Sequence, residues 1–583
     1  MKIYFCLLLA LSITVIGGTP FSDNTGMAVE PADYVFTGGK VYTVNEKQAW
    51  AEAVAVDGKK IVYVGDNAGA KAFVGDGTKL IDLNGKMMLP GFVDNHIHPI
   101  AGGFVARGVN LESDNYDEIL QRIRDYAASI PNEKVVIAHG WRMNMYPDPG
   151  PTKEVLDKID SERPIFLWCV DGHSAWVNSK TLELAGITKD TPDTRPPFSY
   201  FKRDEEGNPT GWIVEIPAQL AVLQKLIDLN ANYIAGGVKE WFPKFSKAGI
   251  TTVFDAGIQG MSIEEGYDAY QMFEKEGKLS FRVIGSYYWN DPKDEPLPKL
   301  NALMARYQSE LVNIQRLKIN IDGGDDKHNA VFVEPYSDKE GWRGEPIIPV
   351  DMIRKAVVEA DAAGIDCFAH SFGDGAVRIM LDAVEAAIKA NPDRDRRHVA
   401  SHDNLIHPTD LKRFKELGVV ADFQTNWAAR DPLLMTLSTK RLGAERVGRM
   451  IAPKSVMDAG GRVTISSDWP VAGYTATHMP LVTIQGAVTR QLQVEPRGEP
   501  LGGEEARLSV AEAIKATTLG SAYSLRMEKK IGSLEVGKMA DLIVLEKDLF
   551  KISMYEIGTT SVLLTMMNGK VTHQDGLEVT VSK

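Results

Sequence analysis

Eight short apolar runs separated by stretches of helical character constrain this chain most. They are Gly91–Asn95, Thr251–Asp255, Phe281–Tyr287, Arg316–Ile321, Ile365–Ala369, His398–Ser401, Val419–Phe423 and Val463–Ser467. Strands that alternate with helices, such as those expected over Asp351–Ala363 and Gly375–Ala390, build a parallel sheet. Eight such units predict an α/β fold, a (β/α)8 barrel of the TIM type. Roughly 150 residues separate the first two runs, far more than an ordinary connection. A large insertion is therefore expected after barrel strand 1, at about 107–229, with short strands of its own at Val135–Ala138 and Ile165–Val170.

Both ends of the chain read as β structure. Tyr34–Phe36, Lys40–Val44, Ala53–Val56 and Ile61–Val64 are short β-rich runs, punctuated by Gly38-Gly39 and Asp57-Gly58. Ala540–Leu545, Ser561–Thr565 and Asn568–Val571 echo them near the C-terminus. The expected organisation is a small β-sandwich domain formed from both chain ends, 31–88 and 528–575, around a barrel at 89–527.

Composition narrows the function. The net charge of -13 gives nucleic acid no electrostatic footing. Of three cysteines, Cys6, Cys169 and Cys367, the first lies in the leader, so no disulfide framework is expected. Lys2, the apolar run Ile3–Ile16 and the small residues Gly17-Gly18-Thr19 read as a secretory signal peptide, placed at 1–26. A periplasmic or secreted enzyme is expected; translation from Met27 would instead give a cytoplasmic one. No other segment reads as a membrane span, and no residue identifies a homo-oligomer interface.

The chemistry gathers at the ends of the predicted strands. The first run leads into His96-Ile97-His98, and a period of two points both imidazoles one way. Lys318 lies in the fourth strand, His370 follows the fifth, His402 the sixth and Asp468 the eighth. Catalytic groups of such barrels sit at the C-terminal ends of strands. Four of only 11 histidines occupy those ends. Divalent metal binding explains that better than chance does. Asp468 also suits a helix cap, and Lys318 a plain lysine reaching solvent.

The order H-x-H, Lys, His, His, Asp resembles the amidohydrolase superfamily of metal-dependent hydrolases. Within it, the similarity is strongest to the branch that includes N-substituted formamide deformylase. Leu89–Asp94, Asp171–Ser179, Gly249–Val253, Gly207–Gly211 followed by Glu215, Ser467–Pro470 and Gly537–Leu542 carry the likeness. It implies one or two divalent metal ions, usually zinc. His96, His98 and Asp468 would hold one ion, and His370 and His402 the second. Lys318 would bridge them as a carbamate, since an ammonium cannot ligate a cation. Asp468 would direct a metal-activated hydroxide and carry its proton to the leaving nitrogen. His173 would donate a hydrogen bond to the substrate carbonyl or oxyanion; Asp171–Ser174 equally suits a polar loop.

The resemblance has departures. Relatives commonly show Asp-Gly-Ser-x-Gly-Ser-Arg after strand four, whereas this chain has Asp322-Gly323-Gly324-Asp325-Asp326-Lys327-His328. Ser401 stands where the family often has glutamate, and Gly375 where it tends to have arginine. His328 is expected to bind substrate or be solvated. Trp141, Tyr146, Trp176 and Trp212 in the insertion suit a pocket wall or a core. His139 has no evident partner, and His407, His478 and His573 read as surface or structural.

The expected activity is hydrolysis of a non-peptide C–N bond, an amide or N-formyl group, in a small molecule. The same site could serve a lactonase, an esterase or a deaminase. A non-catalytic metal-dependent binding protein is the reading from another class, and retention of all six ligand positions argues against it.

Overall fold

The computed structural model describes residues 30–583, apart from 106–107, 114, 147–149, 171, 260, 433, 472–476 and 495–496. The expected signal peptide, with Cys6 and Met27, lies outside the described residues, as does Asp171.

The eight expected runs form one parallel sheet. Its strands are β1 (Phe92–Ile97), β2 (Ile250–Asp255), β3 (Arg282–Trp289), β4 (Val312–Asn320), β5 (Asp366–Ser371), β6 (Val399–His402), β7 (Val420–Phe423) and β8 (Arg462–Ile465). They pair in chain order from β1 to β8. Beyond β8 the chain returns to β1: Ser467 N donates to Asp94 Oδ1 at 3.1 Å, and Asp468 N to His96 O at 2.7 Å. That contact closes the (β/α)8 barrel. Helices such as Val350–Ala362 and Asp374–Ala390 cover its outside with one apolar face each.

The interior is layered, because alternate residues of each strand point inward. Val93, Phe254, Ile284, Phe368, Val399 and Val420 form one apolar layer. Two residues further along the same faces lie Asn95, Lys318 (above Arg316), His370 (above Phe368), Ser401 and Asp422. The Lys318 ammonium nitrogen stands 4.7 Å from the Phe368 ring centroid, and the Arg316 guanidinium 5.6 Å from that of Phe254. The aromatic layer thus separates a polar floor from a polar mouth.

Both chain ends contribute to two further sheets, of five and six strands. Phe36, Val54, Val56 and Ile81 of the first pack with Met88, Leu542, Val544, Leu564 and Met566 of the second. The C-terminal contribution runs on to Thr580–Val581, which pairs with Lys79–Asp82. The strand Met87–Pro90 of this sandwich passes directly into β1. Between β1 and β2 the chain builds a six-stranded sheet from Val109–Asn110 to Pro209–Val214. Two of those strands were expected. The other four are short, and Ser174–Val177, Tyr200–Arg203 and Pro209–Val214 pair antiparallel.

Trp141, Tyr146 and Trp176 stack edge to face in the insertion, with centroids 5.2 to 6.3 Å apart. They form its core rather than a pocket wall. Cys169 and Cys367 are buried and unbridged. Among the described residues no helix is long and apolar enough to cross a membrane.

Candidate metal centre

A bulge delivers His96. Between the pairs Val253↔Asp94 and Asp255↔Ile97, β1 carries one residue more than β2. The extra residue breaks the alternation and turns His96 inward next to Asn95. His402 and Asp468 are brought in by backbone conformation instead. Their φ angles of 78° and 54° lie in the left-handed region, which a side-chain-bearing residue holds only when its surroundings impose it.

The six expected ligand positions lie in one cluster. Asp468 Oδ1 is 3.3 Å from His96 Nε2 and 3.1 Å from His98 Nε2, and Oδ2 is 3.9 Å from His402 Nδ1. Lys318 Nζ is 3.3 Å from His96 Nε2. The His402 ring centroid is 4.7 Å from that of His96 and 4.1 Å from that of His370. All six residues are buried except His370, which is half-buried.

Each imidazole is held from behind through Nδ1. His98 faces the Gly257 carbonyl at 2.9 Å, His370 faces Asp322 Oδ1 at 3.1 Å, and His402 faces Gln424 Oε1 at 2.9 Å. His96 faces the Ser401 hydroxyl at 2.6 Å, and that hydroxyl donates to Asp422 at 2.8 Å. A carbonyl and a carboxylate only accept, so these Nδ1 atoms carry the protons. The Nε2 atoms are left with lone pairs. Burial, with Lys318 and the neighbouring rings adding to it, keeps His96 well below its ordinary pKa; burial and His370 do the same for His402.

This arrangement fits a cation. Ligand atoms of His96, His402 and Asp468 lie within 4.8 Å of one another. Asp468 Oδ1 and His402 Nε2 are buried without a hydrogen-bond partner. Buried lone pairs that converge without a proton between them are costly. A divalent ion resolves that cost. Burial also pushes the Lys318 amine down to about 7, against the opposing pull of Asp468 and Asp422. Lys318 therefore does not reach solvent as a plain lysine.

His173 comes from the insertion and lines the same cavity, of about 140 Å3, as His370, His402 and Asp468. Its Nδ1 is 2.7 Å from Glu215 Oε2, and Asn329 Nδ2 donates to Glu215 Oε1 at 3.0 Å. Glu215 is buried and has φ 66°. With Nδ1–H given to a carboxylate, a neutral His173 presents an acceptor at Nε2. It donates from there only as an imidazolium.

Residues 79–573 match the family described as amidohydrolase. The chain belongs to the amidohydrolase family. Protein LONG AFTER FAR-RED 3 of Arabidopsis thaliana is 28% identical over 553 residues, 92% of this chain and 91% of that protein. N-substituted formamide deformylase of Arthrobacter pascens is 25% identical over 557 residues, 93% of this chain and 98% of that enzyme. A crystal structure of an uncharacterized metal-dependent hydrolase from Pyrococcus furiosus superimposes with a TM-score of 0.67 at 25% identity. It covers 89% of this chain and all of its own.

The amidohydrolase carries site residues that sequence reasoning passed over. Asp422 accepts from Thr464, Ser401, Ser466, Gln424 and Asn95. A lone acid inside the apolar run Val419–Phe423, one residue before its end, was the available signal. Asp255 lies behind His98 at the end of β2 and accepts from Tyr270 at 2.7 Å. His328 neither lines the cavity nor stands free: it pairs with Asp338 at 3.0 Å and packs on Tyr336. His478 packs among Trp241, Phe245 and Trp469, a structural role. His139 is half-buried with its Nδ1 buried and unpartnered, and desolvation lowers its pKa to about 4.

Proposed function

We propose that this amidohydrolase cleaves a non-peptide C–N bond, an amide or N-formyl group, in a small molecule. One observation carries the reading: a carboxylate oxygen and inward-facing imidazole lone pairs converge at the mouth of the barrel with no proton to share. The covered length of the formamide deformylase relative supports the choice of bond.

His96, His98 and Asp468 would hold one divalent ion, zinc by preference, and His370 and His402 a second. Such an ion supplies Lewis acidity to the scissile carbonyl and lowers the pKa of a water molecule. Lys318 suits the bridging position as a carbamate. Its amine, depressed to about 7, has a neutral fraction at physiological pH that can add to carbon dioxide. The new N–C bond forms as one proton leaves, and an ammonium becomes an anionic oxygen donor. Asp468, turned inward by its left-handed backbone, would take a proton from water and return it to the leaving nitrogen. His173, held by Glu215, would face the substrate from the insertion.

The test is elemental analysis of the purified protein together with hydrolysis of a panel of N-substituted formamides, anilides and lactones. Bound zinc with turnover of formamides or anilides supports the reading. Turnover confined to lactones would move it to C–O bonds. Absence of metal after loading with zinc would overturn it.

A further inference from the structure

The catalytic cavity has an acidic wall that no step above uses. Asp325 and Asp326, from the loop after β4, and Asp431, from the segment after β7, line it together with His370, His402 and Asp468. Two of these three acids have work elsewhere. Asp326 Oδ2 is 2.7 Å from Lys327 Nζ, and Asp431 Oδ1 accepts from Leu434 N at 3.0 Å. Asp325 differs. It is 5% exposed, and its Oδ2 is buried with no hydrogen-bond partner.

The cations nearby have partners of their own, although Arg441 keeps a buried Nε without one. Lys327 pairs with Asp326, and Arg441 reaches Asp338 and the Asp326 carbonyl. Burial raises the Asp325 pKa to about 6, against the hydrogen bond from Ser438 and the charge of Arg441, and Asp326 adds to the rise. A buried carboxylate short of donors is expensive. It is tolerated where something that binds completes it. Phe372, Leu434 and Met450 make the rest of this wall apolar. A cavity of about 140 Å3 suits a compact three-donor ammonium better than a planar five-donor guanidinium.

We infer that the Asp325 wall receives an ammonium group of the substrate, so that the molecule cleaved is a small amide carrying a protonated amine, joined by a short apolar linker. This rests on the hydrolase reading above, and two measurements separate them. The first is calorimetric titration of the zinc-loaded full chain with isobutylammonium and with isobutanol, which share one carbon skeleton. The ammonium is expected to bind about tenfold tighter, as charge-assisted bonding to a buried acid requires. That advantage should largely vanish in Asp325→Asn and return in Asp325→Glu. Should Asp325→Asn not fold, Leu434→Phe, which narrows the same wall, must erase it. Equal binding of the two probes, as expected if water alone satisfies Asp325, overturns the inference. An advantage unchanged in the variants does so too.

The second measurement compares hydrolysis of N-formyl-1,3-diaminopropane and N-formyl-3-aminopropanol. Equal kcat/KM for both leaves a hydrolase without an ammonium site. An ammonium advantage in binding with neither compound cleaved keeps the site and discards the assigned bond.

Discussion

The Ser401 hydroxyl lies 2.6 Å from His96 Nδ1 and passes its own proton to Asp422 Oδ2 at 2.8 Å. Gln424 connects the same carboxylate to His402: its amide nitrogen donates to Asp422 at 3.1 Å and its oxygen faces His402 Nδ1 at 2.9 Å. One buried acid on β7 therefore orients imidazoles from β1 and β6. Groups behind a metal ligand fix its tautomer and direction. Ser401→Ala should weaken zinc binding about 10- to 100-fold and, by leaving the buried His96 Nδ1–H without its acceptor, cost about 1 to 3 kcal/mol of stability. Asp422→Asn puts an amide nitrogen where hydroxyls and amides donate, and should cost several kcal/mol of stability as well. Chelator competition reads the first effect, and thermal unfolding of the metal-free protein reads the second.

Lys318 gives a chemical signature independent of turnover. Protein equilibrated with 13C-bicarbonate should show a carbamate carbonyl resonance that is absent in Lys318→Met. The variant should also lose about half its metal, since a methionine thioether cannot bridge two hard ions as an anionic oxygen does. Full retention of zinc in Lys318→Met would make the lysine a neighbour of a single-metal site.

The barrel was legible because its strands are buried on both faces and read as short, mostly apolar runs. The clustered residues His96, His98, His370, His402 and Asp468 drew notice because they stand where those runs stop, and Lys318 because a lysine lies inside the fourth. The sandwich was legible from turn signals at both ends. What escaped was long-range. Asp422 meets Asn95 across 327 residues of sequence, and an acid in a strand looks like any interruption of an apolar run until the barrel closes. His328, by contrast, drew attention because histidine in a polar loop suggests chemistry, yet Asp338 holds it. The short antiparallel strands of the insertion were missed because runs of four to six residues are too brief to give a clear period.

Glu215 tests whether His173 acts in the reaction or fills space. The carboxylate holds the ring from a strained backbone and also takes a bond from Asn329 on the loop after β4. Glu215→Gln keeps shape and loses charge. It should lower kcat about 100-fold with little change in KM, within the range for a mispositioned acid–base group. A purely structural Glu215 would change stability and leave kcat in place.

Acid stability should be governed at the opposite end of the barrel from the metal centre. Asp366 begins β5 and accepts from Arg394 at 3.0 Å and Arg526 at 2.8 Å. Burial alone would raise its pKa, but Arg316, the Arg526 hydrogen bond and their neighbours outweigh it and hold it at about 2. A carboxylate depressed on folding binds its proton more readily in the unfolded chain. Its stabilisation is therefore complete above the unfolded value near 4 and is lost as pH falls toward 2. That shift corresponds to about 2 kcal/mol. Asp366→Asn takes the counter-charge from buried Arg316, while half-buried Arg394 keeps Asp361 and exposed Arg526 keeps Asp395, and should cost about 2 kcal/mol at neutral pH. It should also flatten the fall of the unfolding midpoint between pH 4 and pH 2. Thermal unfolding of both proteins across that range checks the sign; a variant whose midpoint still falls as steeply as the parent's would locate the acid-sensitive carboxylate elsewhere.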